Sequence, residues 1–84
     1  MPARLVVDKK ADKGFLRLPR NIQGKIIVAY SRLSETPILG VKLHGELSNY
    51  YKYRVGDYRI IYKFHTREKI LEVVKIEHRQ GVYK

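Results

Sequence analysis

The chain has 84 residues, with 18 Lys or Arg against eight Asp or Glu, a net charge of +10 and no cysteine. That length supports one domain, residues 1–84, near the lower limit for a self-sufficient core, and without Cys neither disulfides nor thiolate metal sites can stiffen it. No apolar run approaches a membrane span or a signal-peptide core, so a cytoplasmic location is expected. The charge favours nucleic acid or an acidic protein partner. It favours a membrane surface less, because the basic residues concentrate on strands and not on one amphipathic helix.

In chain order, Arg4 to Val7 is a short apolar run suited to a strand. Asp8 is placed to cap a helix reaching about Leu18, with Ala11, Phe15 and Leu18 on one stripe. Pro19 separates it from a second helix over Arg20 to Ser34, where Ile22, Ile26, Ala29 and Leu33 keep helical spacing and Thr36-Pro37 closes the element. The two form an αα-hairpin whose apolar stripes read as core. Pro37 to Asn49 carries turn formers without clear periodicity and reads as a connecting loop.

The stretch "YYKYRVGDYRIIYKF" gives the sharpest local signal. Val55-Gly56-Asp57-Tyr58 suits a two-residue hairpin loop with Gly first. If Val55 pairs with Tyr58, Tyr53 falls opposite Ile60 and Arg54 directly opposite Arg59. Side chains alternate along a strand, so Tyr51, Tyr53, Val55, Tyr58, Ile60, Tyr62 and Phe64 share one apolar face, which reads as core packing. Lys52, Arg54, Arg59, Ile61 and Lys63 share the other face, and Tyr50, on the same side, could stack on a nucleobase. Like charges directly across a ladder are unfavourable by roughly a few tenths to 1 kcal/mol. A solvated face normally mixes signs, and this face of the hairpin carries no acidic residue. Two readings follow: a wet outer face on which water screens the cations, or a site for a polyanion. "HTRE" then makes a turn, and Ile70 to Glu77 forms a third consecutive strand. The expected fold is a small α+β domain: a short N-terminal strand, an αα-hairpin and an antiparallel three-strand meander. The helices pack on one face of the sheet and the basic face stays open.

"KLHGELSNYYKYRVGDYRIIYKF" followed by "VVKIEHRQGVYK" resembles the RelE toxins of the RelE/ParE toxin–antitoxin superfamily. The element order agrees over nearly the whole chain, and Gly-Asp-Tyr-Arg at the hairpin and His-Arg-x-x-Val-Tyr near the end carry the likeness best. The resemblance implies a metal-independent endoribonuclease, without cofactor, that cleaves mRNA in the ribosomal A site and is neutralised by a cognate antitoxin. The implied partners are therefore antitoxin, ribosomal RNA and mRNA. The family's first-strand basic pair matches Lys52 and Arg54, the Arg after Gly-x-Tyr matches Arg59, and the terminal Arg and Tyr match Arg79 and Tyr83. The second basic position is often Lys; Arg54 keeps its charge but does not readily exchange a proton. Some relatives continue into a C-terminal helix where this chain has only Lys84.

Metal-free RNA cleavage needs a base for the 2′-OH, cations for the charge building on phosphate, and an acid for the departing 5′-oxygen. Arg54, Arg59 and Arg79 suit the second role, since guanidinium forks match phosphate oxygens. Lys52 and Tyr83 are poor bases at ordinary pKa values near 10, and crowded cations favour neutral Lys and ionised Tyr. His44, His65 and His78 titrate nearer neutrality but sit in turns or at strand ends, where a polar surface role is the simpler account. Glu46 is an isolated loop carboxylate to which no role is assigned. No His/Asp/Glu spacing suggests a metal site. Two alternatives stand beside the ribonuclease reading: a ParE-type non-enzymatic toxin acting on DNA gyrase, and a plain nucleic-acid-binding module.

Overall fold

The computed structural model describes residues 2–43, 45 and 49–78. Strand β1 (Arg4–Val7) leads into helix α1 (Lys9–Leu16) and helix α2 (Arg20–Glu35). A 3₁₀ turn (Pro37–Leu39) and strand β2 (Val41–Lys42) follow, then β3 (Tyr50–Val55), β4 (Tyr58–His65) and β5 (Ile70–His78). The strands form one sheet in the order β1-β5-β4-β3-β2. The α+β class, the two helices and the meander are as the sequence implied. The sheet is wider and mixed, because β1 joins β5 in parallel and β2 adds to the far edge of β3.

The segment 37–49, expected as a plain loop, holds the 3₁₀ turn and β2 because of a contact from outside it. Tyr62, fully buried on β4, donates its hydroxyl to the Pro37 carbonyl at 2.7 Å and accepts the Gly40 N–H at 3.0 Å. Burial pushes this phenol up to about 12, so it stays a neutral donor at physiological pH. Gly40 is required by closeness: a Cβ there would lie 2.6 Å from the Tyr62 hydroxyl and 2.7 Å from the Lys52 carbonyl. Pinned in this way, Val41 and Lys42 pair with Lys52 and Tyr51.

Both helices cover the apolar face. Ala11, Ile26, Ala29 and Leu33 are buried against Ile60, Tyr62, Leu71 and Val73, with Phe15, Leu18 and Ile22 packed around them. Gln23 fastens the helical hairpin by donating to the Leu18 carbonyl at 3.0 Å. Asp8 stands at the N-cap of α1 in extended backbone, yet its side chain makes no capping bond. It turns instead toward Glu72 on β5. Burial, and then the hydrogen bond to Glu72, raise the Asp8 carboxyl above its ordinary range. Glu72 is lowered, chiefly by its 2.9 Å hydrogen bond to His65 and then by Asp8. The capping expectation fails because a tertiary partner competes for the same carboxyl.

The hairpin register is as expected: Val55 faces Tyr58, Arg54 faces Arg59 and Tyr53 faces Ile60, with Gly56 at φ +58° in the turn. The β4–β5 ladder is different. Ile61 pairs with Lys75 but Tyr62 pairs with Val73, leaving Val74 as the extra residue of a β-bulge. Leu71 and Val73 point into the core; past the bulge the phase reverses. Ile76 and His78 then lie opposite Ile60 and Tyr58 on the helix side, and Lys75 and Glu77 join the open face.

Candidate active site on the open sheet face

The open face is not uniformly basic. Across β4, Arg59 has Arg54 on one side and Glu77 on the other, and Lys63 lies between Tyr50 and Glu72. The absence of acids inferred from the hairpin alone is therefore corrected by β5, whose bulge sets the phase that brings Glu77 there. Arg59 and Arg54 are directly paired, as the sequence implied, but the row as a whole carries compensating charge.

A pocket of ≈ 450 Å³ opens on this face, within the range of small-ligand sites. Its floor is apolar: Leu43, Ile61 and Val74, with Tyr50 beside them. Ile61 is only 7% exposed although it faces away from the helices, which marks the depth of the hollow. Lys10, Lys52, Arg59 and Lys75 line it with positive charge, and Glu77 is the acid among the described lining residues. Glu77 accepts an ion pair from Lys75 at 2.8 Å. An apolar floor under convergent cations suits one nucleotide unit, the base lying on Tyr50, Ile61 and Val74 and the phosphate meeting Lys52 and Arg59. Lys63 lies over the Tyr50 ring, 4.7 Å from its centroid, and steadies that aromatic wall.

The structure brings Lys52 and Arg59 together in this pocket. Arg54 sits apart: it is exposed, its Nε donates to the Gly56 carbonyl at 3.4 Å, and it lines a shallower hollow with Lys25 and Arg32 of α2. Arg79 and Tyr83, and the rival residues His44 and Glu46, lie outside the described residues. His65 is engaged with Glu72, and the His78 ring packs edge-on against Tyr58, with centroids 4.7 Å apart, on the helix side. Among the described residues no cluster of three or more His, Cys, Asp or Glu could hold a metal ion, and no helix is long and apolar enough to cross a membrane. Sequence reasoning missed Lys10, Val74, Lys75 and Glu77. The signal for three of them was present: apolar residues at 71 and 73 and then at 76 break the period of two at Val73-Val74, as a bulge does.

The comparisons with known proteins agree with this architecture. A family model described as "ParE toxin of type II toxin-antitoxin system, parDE" matches residues 5–83. The chain belongs to the RelE/ParE toxin superfamily. Among curated proteins it is 26% identical over 86 residues to Toxin RelG of Mycobacterium tuberculosis, covering 100% of this chain and 99% of that one. Among solved structures, a chain of the toxin–antitoxin complex RelBE2 from M. tuberculosis superposes with a TM-score of 0.86 at 25% identity, covering 94% of this toxin and all of that chain. The archaeal RelE–RelB complex from Pyrococcus horikoshii gives 0.78 at 24% identity, with 94% and 97% covered. The second likeness supports the fold; the first extends over the whole length of its counterpart.

Proposed function

We propose that this toxin is a ribosome-dependent mRNA endoribonuclease that cleaves the message in the ribosomal A site and is held in check by a cognate antitoxin. The observation that carries the reading is the pocket in which Lys52 and Arg59 meet over an apolar floor with an aromatic wall. Lys52 and Arg59, with Arg54, Arg79 and Tyr83, are the residues that match the RelE pattern. Arg59 binds the scissile phosphate and stabilises charge growing on its oxygens, with Arg54 and Arg79 as further cations. Lys52 and Tyr83 serve proton transfer, and Tyr50 stacks a base. A small open site positions a flexible message poorly on its own. The ribosome supplies that order, an effect worth several kcal/mol of barrier. The solved relatives that are complexes with RelB-type antitoxins support a protein partner laid over toxin surface. The net charge of +10 favours an acidic or amphipathic segment for that role.

A second reading is favoured by one observation, the match to a model of ParE toxins. In it the cationic face docks on DNA gyrase and no bond is cleaved. Translation in a cell-free extract followed by primer extension on the message separates the two. New 5′ ends at codons being decoded, absent when the same RNA is offered without ribosomes, support the ribonuclease. An intact message together with inhibited gyrase supercoiling supports the ParE reading.

A further inference from the structure

We infer that Glu77 is the general base of this toxin, removing the proton from the 2′-OH of the nucleotide held in the open-face pocket. The inference rests on the ribonuclease reading and supplies what that reading lacks, a group that accepts a proton readily at neutral pH. The cations in the pocket bind and stabilise, but Lys and Arg in their charged forms offer donors and no lone pair. A carboxylate is ionised at neutral pH and accepts only. Glu77 is the acid among the described residues of the pocket, and it shares the hollow with Lys52 and Arg59.

Its placement suits the role. Glu77 is the register partner of Arg59, so a phosphate on that guanidinium lies within the same row of the sheet as the carboxylate. Lys75 holds it at 2.8 Å, which fixes its direction while the remaining oxygen lone pairs stay available, and the side chain is 27% exposed. The bulge at Val74 has the same meaning. Unbroken alternation from Leu71 and Val73 would turn position 77 into the core, where a carboxylate would be strongly disfavoured. The irregularity of β5 puts an acid where the chemistry needs one.

The step balances without a further reagent. The Glu77 carboxylate takes the 2′-OH proton, and the 2′-oxygen electron pair forms the bond to phosphorus. The P–O5′ bond breaks with its electrons passing to the 5′-oxygen, which takes a proton from the Lys52 ammonium. The products are a 2′,3′-cyclic phosphate and a 5′-hydroxyl end. A purely structural Glu77, present only to neutralise Lys75, would leave the chemistry to other groups.

The test is single-turnover cleavage of a ribosome-bound message at neutral pH by wild type, Glu77→Gln and Lys75→Gln, with ribosome affinity measured in parallel. Gln is isosteric with Glu, and a thermal melt of each variant confirms that folded protein is compared. The expected result is a loss of roughly a hundredfold or more in Glu77→Gln, the scale of a general base, with affinity changed by less than about twofold. Lys75→Gln, which keeps the carboxylate, should retain a rate within about tenfold of wild type. Equal losses in the two variants would overturn the assignment. Wild type that leaves ribosome-bound message intact would overturn the ribonuclease reading and this inference with it; cleavage by wild type and Glu77→Gln alike would overturn this inference alone.

Discussion

Between β3 and β4 the ladder runs without interruption from Tyr50 opposite Lys63 to Val55 opposite Tyr58, whereas between β4 and β5 it slips at Ile61/Tyr62. The regular half delivers a face of cations with Arg54 and Arg59 side by side. The irregular half delivers Val74 as an apolar floor and Lys75 and Glu77 as a fixed ion pair on the same side. A regular hairpin alone would give a smear of positive charge able to hold any polyanion. The bulged strand converts it into a hollow with an acid among the cations, and on the proposed function that is the difference between a binding surface and a site for proton transfer.

The most severe way to break the comparison is to remove the irregularity. Deleting Val74 gives an unbroken ladder in which Lys75 still pairs with Ile61 and Glu77 with Arg59, so both charges keep the open face and the pocket loses Val74 from its apolar lining. The expected change is the loss of one half-buried Val and a re-twisted strand, roughly 3 kcal/mol, read as a lower urea midpoint with a folded baseline retained. A deletion variant that melts like wild type would mean the bulge is dispensable.

A smaller effect comes from the regular half, through its edge. Tyr62→Phe leaves the Gly40 N–H and the Pro37 carbonyl without their partner inside the protein. The expected destabilisation is roughly 1–3 kcal/mol, read as a lower urea midpoint at unchanged slope. Amide exchange of Val41 and Lys42 should quicken most, since β2 depends on that tie. Unchanged protection at β2 would show that its pairing with β3 suffices.

The smallest effect lies on the bulged side, where β5 meets β1. The raised Asp8 carboxyl favours the folded state while it holds its proton, and that contribution is lost as pH rises through its folded pKa. Asp8→Asn keeps a donor toward Glu72 at every pH. The variant should therefore melt slightly higher than wild type at neutral pH, with the gain disappearing below the ordinary aspartate value, about 3.9. A gain independent of pH, or a loss at neutral pH, would show that Asp8 acts through something other than its proton.

The parts of this structure that were legible are those in which neighbours along the chain decide. Gly56-Asp57 fixes the hairpin, and alternation then gives both faces of β3 and β4, including the Arg54–Arg59 pair. The helices follow from the spacing of Ile22, Ile26, Ala29 and Leu33. What escaped was set by partners distant in sequence. The short β2 exists because Tyr62 reaches Pro37 and Gly40 across the sheet, and Asp8 abandons its cap for Glu72 on β5. Arg54 shares the parity of Arg59 but turns to the Gly56 carbonyl at the turn, which alternation alone could not foretell. Lys75 and Glu77 were hidden by counting in twos through Val73-Val74. The parallel pairing of β1 with β5 depends on the path of the helices between them and leaves no mark on β1 itself.

On the proposed function Arg59, between Arg54 and Glu77, acts on the phosphate in the transition state more than it holds RNA to the surface. Arg59→Ala, with its single-turnover rate on ribosome-bound message compared with its ribosome affinity, tests this most directly. The rate should be lower by on the order of a hundredfold or more. Affinity should fall only about several-fold, because other cations still contact the backbone, and thermal stability should stay within about 1 kcal/mol of wild type. A matched loss of rate and affinity, or folded Arg59→Ala that cleaves at the wild-type rate, would contradict it.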